Sequence, residues 1–177
     1  MLKLPDPAWT PARQETYRMP FGVLLSTTVH EVFPGHFLQA EWEKRAPTRA
    51  QRTLLWSSFE EGWAHYGEQL MIEEGLGAGD PQNKLGQLSD ALLRDCRAVV
   101  SIGVHTRGMT LQQAEKRFVR DCHQEEVTAQ EEAERAALDP AYLNYTLGKL
   151  LIFDLRDEAK QRLGSKFTLK GFHDALL

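Results

Sequence analysis

The sequence predicts an all-α fold, and three observations carry that prediction. No stretch alternates apolar and polar residues with period two, no Asn-Gly or Asp-Gly hairpin turn occurs, and helix start and stop signals recur along the chain. Residues from about Gly22 to Arg45 read as helical, interrupted at Pro34-Gly35. Pro47-Thr48 is a break, with Thr48 as N-cap, and a second helix is predicted from Arg49 to Glu74. It stops at Gly75, and Gly77 and Gly79 form a loop behind it. Asp80-Pro81 pairs an N-cap with proline at the first helical position, opening a third helix to about Val104. Gly108-Met-Thr110 resets the chain, and Thr110-Leu-Gln-Gln113 has the form of a capping box for a fourth helix to about Gln124. The charged run from Glu125 to Arg135 reads as a solvated helix or a loop. Asp139-Pro140 opens a fifth helix ending near Leu163-Gly164. Phe167-Thr-Leu-Lys170 then links to a last helix, Gly171 to Leu177. The expectation is five to six helices in a single domain, 1–177, without internal repeats or low-complexity tracts.

Bulk properties narrow the function classes. A chain of 177 residues is one domain by size, or part of a larger one. Its net charge is −4, from 21 basic and 25 acidic residues, with no basic stripe, so nucleic acid is not an expected partner. No apolar run approaches the roughly 18 residues of a membrane span. The start, Met1-Leu-Lys-Leu-Pro-Asp-Pro, lacks the apolar core of a signal peptide, although a fragment would leave its parent's compartment open. Cys96 and Cys122 have neither a disulfide framework nor metal-type spacing and read as plain buried or half-buried thiols.

Two constellations carry chemistry. The first is His30-Glu-Val-Phe-Pro-Gly-His36. Zinc hydrolases commonly place two histidines at i and i+4 on one helix face, with a glutamate beside the first. Here the histidines are six apart, which in an unbroken helix leaves them roughly 120° apart in rotation and unable to share a metal. Pro34 has no N–H to give the carbonyl of His30, and its ring crowds that carbonyl. Gly35 accepts backbone angles that other residues resist. A break at Pro34-Gly35 is therefore expected to swing His36 back toward His30; the structural alternative is a kinked helix with two incidental histidines. The second constellation is Glu61-Gly-Trp-Ala-His-Tyr-Gly-Glu68. Glu61, His65 and Glu68 fall at i, i+4 and i+7, on one helix face, among Trp56, Phe59, Trp63, Tyr66 and Leu70. Polar groups in such surroundings cost free energy unless paired or coordinating. Gly62 and Gly67 in mid-helix cost about 1 kcal/mol each relative to alanine, which a close approach of another helix or a ligand would justify.

Together these segments resemble a bacterial family called domain of unknown function 885, a group of zinc-dependent peptidases by its motifs. Its His-Glu-x-x-Pro-Gly-His motif, followed two residues later by glutamine, matches His30 to Gln39. Its Glu-Gly-Trp-Ala-x-Tyr-x-Glu motif matches Glu61 to Glu68. A block with two arginines before Gly-x-His is matched by Arg94-Asp-Cys-Arg97 and Gly103-Val-His105. A block with tyrosine and glycine before a long helix ending in Phe-His-Asp is matched by Tyr145, Gly148, Arg156 and Phe172-His-Asp174. The chain departs from the pattern at Ser101, where an aspartate is usual, and at Asp139-Pro-Ala-Tyr142. The resemblance covers about residues 15 to 177. It implies a helical, gluzincin-type zincin fold and the C-terminal, metal-bearing part of a larger helical enzyme, a fragment lacking an N-terminal helical half.

The resemblance further implies zinc held by His30, His36 and Glu61, with Glu31 as general base and Glu68 orienting a histidine. His65 is assigned beside Glu68, and His65 or Glu68 is the alternative third ligand. His105 and Tyr145 are candidates to stabilise charge on the scissile carbonyl, or else core residues. Arg94 and Arg97 are candidates to bind a substrate carboxylate, or else salt-bridge partners. The implied activity is zinc-dependent hydrolysis of peptide bonds. The alternative is a metal-binding scaffold or regulatory module without catalysis of its own; a non-haem iron protein is disfavoured by the unligated glutamate. Expected partners are a peptide substrate and, for the chain itself, a missing N-terminal half or a second copy.

Overall fold

The computed structural model describes residues 6–16, 20–54 and 56–177. Every regular element among them is helical. In chain order these are α1 (Pro11–Thr16), α2 (Phe21–Glu31), α3 (His36–Glu43), α4 (Arg49–Thr53), α5 (Ser57–Glu73), α6 (Pro81–Arg107), α7 (Leu111–Cys122) and α8 (Glu126–Leu138). A 3₁₀ turn at Pro140–Leu143 leads into α9 (Asn144–Leu163), and a second at Gly164–Lys166 precedes α10 (Leu169–Leu176). The all-α expectation holds, with more helices than the five or six expected.

The extra elements have local causes. The helix expected over 22–45 is two, α2 and α3, parted at Val32–Gly35. The helix expected over Arg49 to Glu74 also divides. Thr48 caps α4 with a reciprocal capping box to Gln51, but Leu54 is extended and α5 starts anew after Trp56; Leu55 lies outside the described residues. Asp80 caps α6 by accepting from the Gln82 N–H, with Pro81 at its first turn. Gly108, in the left-handed region at φ 66°, ends it, three residues beyond the expected stop. Thr110 and Gln113 form the capping box read from the sequence. The charged run after Glu125 is a helix, because Ala129, Ala133 and Ala136 give it a fully covered stripe at helical spacing.

The chain forms two compact units. The first comprises Met1–Leu25 and Gly79–Leu143, the second Ser26–Ala78 and Asn144–Leu177. In the first, Val100 of α6, Ala114 and Phe118 of α7, the alanines of α8 and Tyr142 are buried. Cys96 and Cys122 are buried there too, but they are not free thiols. They pair as a disulfide, with Cα atoms 6.4 Å apart across 26 residues of sequence. Packing of α7 against α6 brings them together, which no spacing rule encodes.

In the second unit, Trp63, Tyr66 and Leu70 of α5 and Ile152 of α9 form a core, against which Leu38, Phe59, Phe153, Leu169 and Phe172 pack. The α5–α9 crossing depends on glycine. A Cβ on Gly148 would lie 1.7 Å from the Ser58 carbonyl oxygen and 2.8 Å from Gly62 Cα. Helix-breaking glycines are retained here because two backbones touch. Gly67 has no such need, since its nearest neighbour would be Pro34 Cγ at 3.5 Å.

Candidate metal centre

The second unit brings His30, His36 and Glu61 together, and the turn between α2 and α3 makes this geometry. After Val32 the backbone leaves the helix, and the Gly35 N–H donates to the Val29 carbonyl at 3.0 Å. Gly35 lies so close beneath α2 that a Cβ would sit 1.8 Å from the His30 carbonyl oxygen. Only glycine fits there. The helix then restarts at His36, so that the two imidazoles, six apart in sequence, stand 4.7 Å apart between ring centroids at 86°. From α5, the fully buried Trp63 donates its indole N–H to the Pro34 carbonyl at 2.8 Å. That bond fixes the turn to the helix that carries Glu61.

One ligand atom from each of the three residues lies within 4.8 Å of the others, and no other group of this kind occurs among the described residues. Glu61 Oε2 is 3.3 Å from His30 Nε2 and 3.5 Å from His36 Nε2. Tetrahedral ligands held about 2.1 Å from zinc stand roughly 3.4 Å apart, so the spacing suits such an ion. The chemistry of the donor set agrees. Glu61 Oε2 is buried with no well-formed hydrogen bond, the two histidine contacts being ion-pair distances. Burial pushes the Glu61 carboxyl up, but pairing with His30 and His36 outweighs it and holds the group well below the usual carboxylate range. Two imidazole nitrogens and a carboxylate oxygen at this spacing form a donor set that could hold zinc.

The surrounding groups are ordered. His30 is 5% exposed, and its Nδ1 is 2.6 Å from Glu68 Oε1. A carboxylate only accepts, so His30 donates from Nδ1 to Glu68, and its Nε2 is the ring atom that faces Glu61. His65 Nδ1 is 3.3 Å from the other oxygen of Glu68. The Tyr145 ring stacks on His30 at 6.3 Å and 24°. His36 and Glu61 retain 31% and 25% side-chain exposure, so solvent reaches the centre from one side. Glu31, the last residue of α2, is exposed and not among the converging ligands. Glu60, the residue before Glu61, has its carboxyl pushed up by burial and by the charge of Glu43.

The remaining candidates lie in the first unit. Arg97 donates from Nε and Nη2 to the two oxygens of Glu132, at 2.7 and 2.6 Å. Arg94 Nη1 is 3.9 Å from Asp90. His105 Nε2 is 2.9 Å from the Ala136 carbonyl. Two features escaped the sequence reading. One is the Trp63–Pro34 bond, whose only signal is a tryptophan beside the ligand Glu61. The other is the partner of Arg97, for which a salt bridge was the alternative expected: it is Glu132, 35 residues away.

Among solved structures, the chain is similar to a candidate lipoprotein of unknown function from Shewanella oneidensis, at 30% identity and a TM-score of 0.84. It covers 94% of this chain and 31% of that one. It is likewise similar to a candidate lipoprotein from Colwellia psychrerythraea, at 36% identity and a TM-score of 0.81, over 89% of this chain and 28% of that one. The chain therefore spans about a third of the length of these structures. No curated protein matches. No helix among the described residues is long and apolar enough to cross a membrane. Residues 7–177 match the family described as "Bacterial protein of unknown function (DUF885)", and the chain belongs to that family.

Proposed function

We propose that the chain is the metal-bearing part of a zinc-dependent peptidase. The observation that carries this reading is the convergence of His30, His36 and Glu61, with Glu61 Oε2 at distances from both imidazoles that suit a tetrahedral ion. Zinc held there would polarise a scissile carbonyl and bring the pKa of a water toward about 7. The chain's own residues supply the rest. Glu31 follows His30 directly and is exposed, free to accept a proton from the attacking water and return it to the leaving amine. Tyr145, stacked on His30, donates its phenol toward the carbonyl oxygen as negative charge develops. Glu68 holds the His30 ring in the tautomer that ligation requires.

The test is zinc content measured together with peptide hydrolysis, in wild type and in Glu31→Gln. Wild type is expected to hold about one zinc per chain, and Glu31→Gln to keep it while hydrolysis falls by two or more orders of magnitude. Loss of zinc from Glu31→Gln would make Glu31 a ligand. Zinc binding without hydrolysis in wild type, with the chain in its full-length parent, would favour a metal-binding scaffold instead.

A further inference from the structure

The metal reading uses one oxygen of Glu68; the other is the more informative. Glu68 and His65 are each 1% exposed. A buried carboxylate is costly unless both oxygens are satisfied. Oε1 faces His30 Nδ1 at 2.6 Å and Oε2 faces His65 Nδ1 at 3.3 Å, so the carboxylate plane is set from both ends. On α5 the three groups follow the helix repeat, with Glu61, His65 and Glu68 at i, i+4 and i+7. One face thus carries a metal ligand, an anchor and an orienting carboxylate in successive turns.

We propose that His65 is a positioning residue for the metal centre. It donates its Nδ1 N–H to Glu68 Oε2, and this fixes the carboxylate so that Oε1 accepts from His30 Nδ1 and His30 Nε2 is held toward the ion. The proposal rests on the metal reading above, but its first consequence is visible without metal. A His65 that merely filled space would be replaceable by any buried side chain of similar volume. A His65 that acts through its N–H would not. The two roles separate in a pair of variants. His65→Asn keeps a donor on the atom that branches from Cγ as Nδ1 does, whereas His65→Leu keeps the bulk and loses the donor.

The experiment records the ring-nitrogen NMR of the metal-free chain, then zinc affinity by competition with a chelator. In wild type, both His30 and His65 are expected to carry their proton on Nδ1. In His65→Leu, His30 is expected to become a mixture of tautomers, and zinc binding to weaken roughly 10- to 100-fold. His65→Asn restores the single tautomer and brings affinity to within about threefold of wild type. The proposal is overturned if His65 in wild type carries its proton on Nε2, a result that needs no variant to fold. It is equally overturned if His65→Leu matches wild type in both measurements. Should wild type bind no zinc at all, the metal reading fails while the tautomer of His30 still decides whether His65 positions it.

Discussion

The two units each bury a charged cluster, and the clusters differ in one respect. In the first unit, donors and acceptors balance. Glu132 receives two hydrogen bonds from Arg97 and one from the Tyr142 hydroxyl, and the guanidinium groups of Arg97 and Arg135 lie over the Tyr142 ring at 4.8 and 4.9 Å. In the second, Nε2 of His30 and Nε2 of His36 converge on one oxygen of Glu61, at 3.3 and 3.5 Å. A balanced cluster needs nothing from outside and is read as structure. Imidazoles that converge on a carboxylate are the donor set the proposed zinc reading would use. The comparison separates a guanidinium–carboxylate pair closed on itself from a group of side chains whose chemistry suits an added ion.

The contrast makes opposite predictions for the two clusters. The largest effect is expected from His36→Ala. It removes one of three ligands and should abolish stoichiometric zinc, while the melting of the metal-free protein moves little, by under about 1 kcal/mol. Unchanged zinc content would remove His36 from the centre. Glu132→Ala should do the reverse. Leaving Arg97 buried without its carboxylate should cost about 3–5 kcal/mol in urea unfolding, with zinc content per folded chain intact. Equal stability of this variant and wild type would show that the pair is less buried in solution than its geometry implies.

The smallest effect concerns His173 of α10, a half-buried group outside both clusters. Its Nε2 is 2.9 Å from the Tyr66 hydroxyl, to which Arg156 also donates at 3.3 Å. Burial, and then the charge of Arg156, push the imidazole below its ordinary value of 6.5, against weaker upward pulls from Asp174 and Glu74. The unfolded chain therefore binds this proton more readily than the folded one. The stabilisation is complete above about pH 6.5 and is lost as pH falls toward the lowered value. His173→Phe should flatten that part of the stability profile, as followed by thermal melts between pH 5 and 8. An unaltered slope would assign it to other groups.

Where chemistry is local, the sequence was sufficient. The break between α2 and α3 follows from Pro34 and Gly35, and the N-caps at Thr48, Asp80 and Thr110 follow from their own side chains. The approach of His36 to His30 was legible because the six-residue spacing makes sense only once that break is assumed, while Glu61 was singled out by its motif. Where long-range packing decides, the sequence was silent. Leu54 leaves the helix without proline or glycine to mark it. The Cys96–Cys122 bond needs α6 and α7 side by side. The face of α8 is built on alanines hidden within a charged run, with Glu132 buried among them, and the bonds it receives from Arg97 and Tyr142 explain why a glutamate belongs there.

The hydrogen bond from Trp63 to the Pro34 carbonyl has a consequence for anyone who would move this centre into another protein. Histidine spacing is set by the turn, and the turn is pinned from α5. The smallest portable part is therefore a pair of segments, roughly Ser26 to Gln39 and Phe59 to Glu68. A graft that carried the histidines and Glu61 but replaced the tryptophan would transplant the ligands without the bracket that aims them.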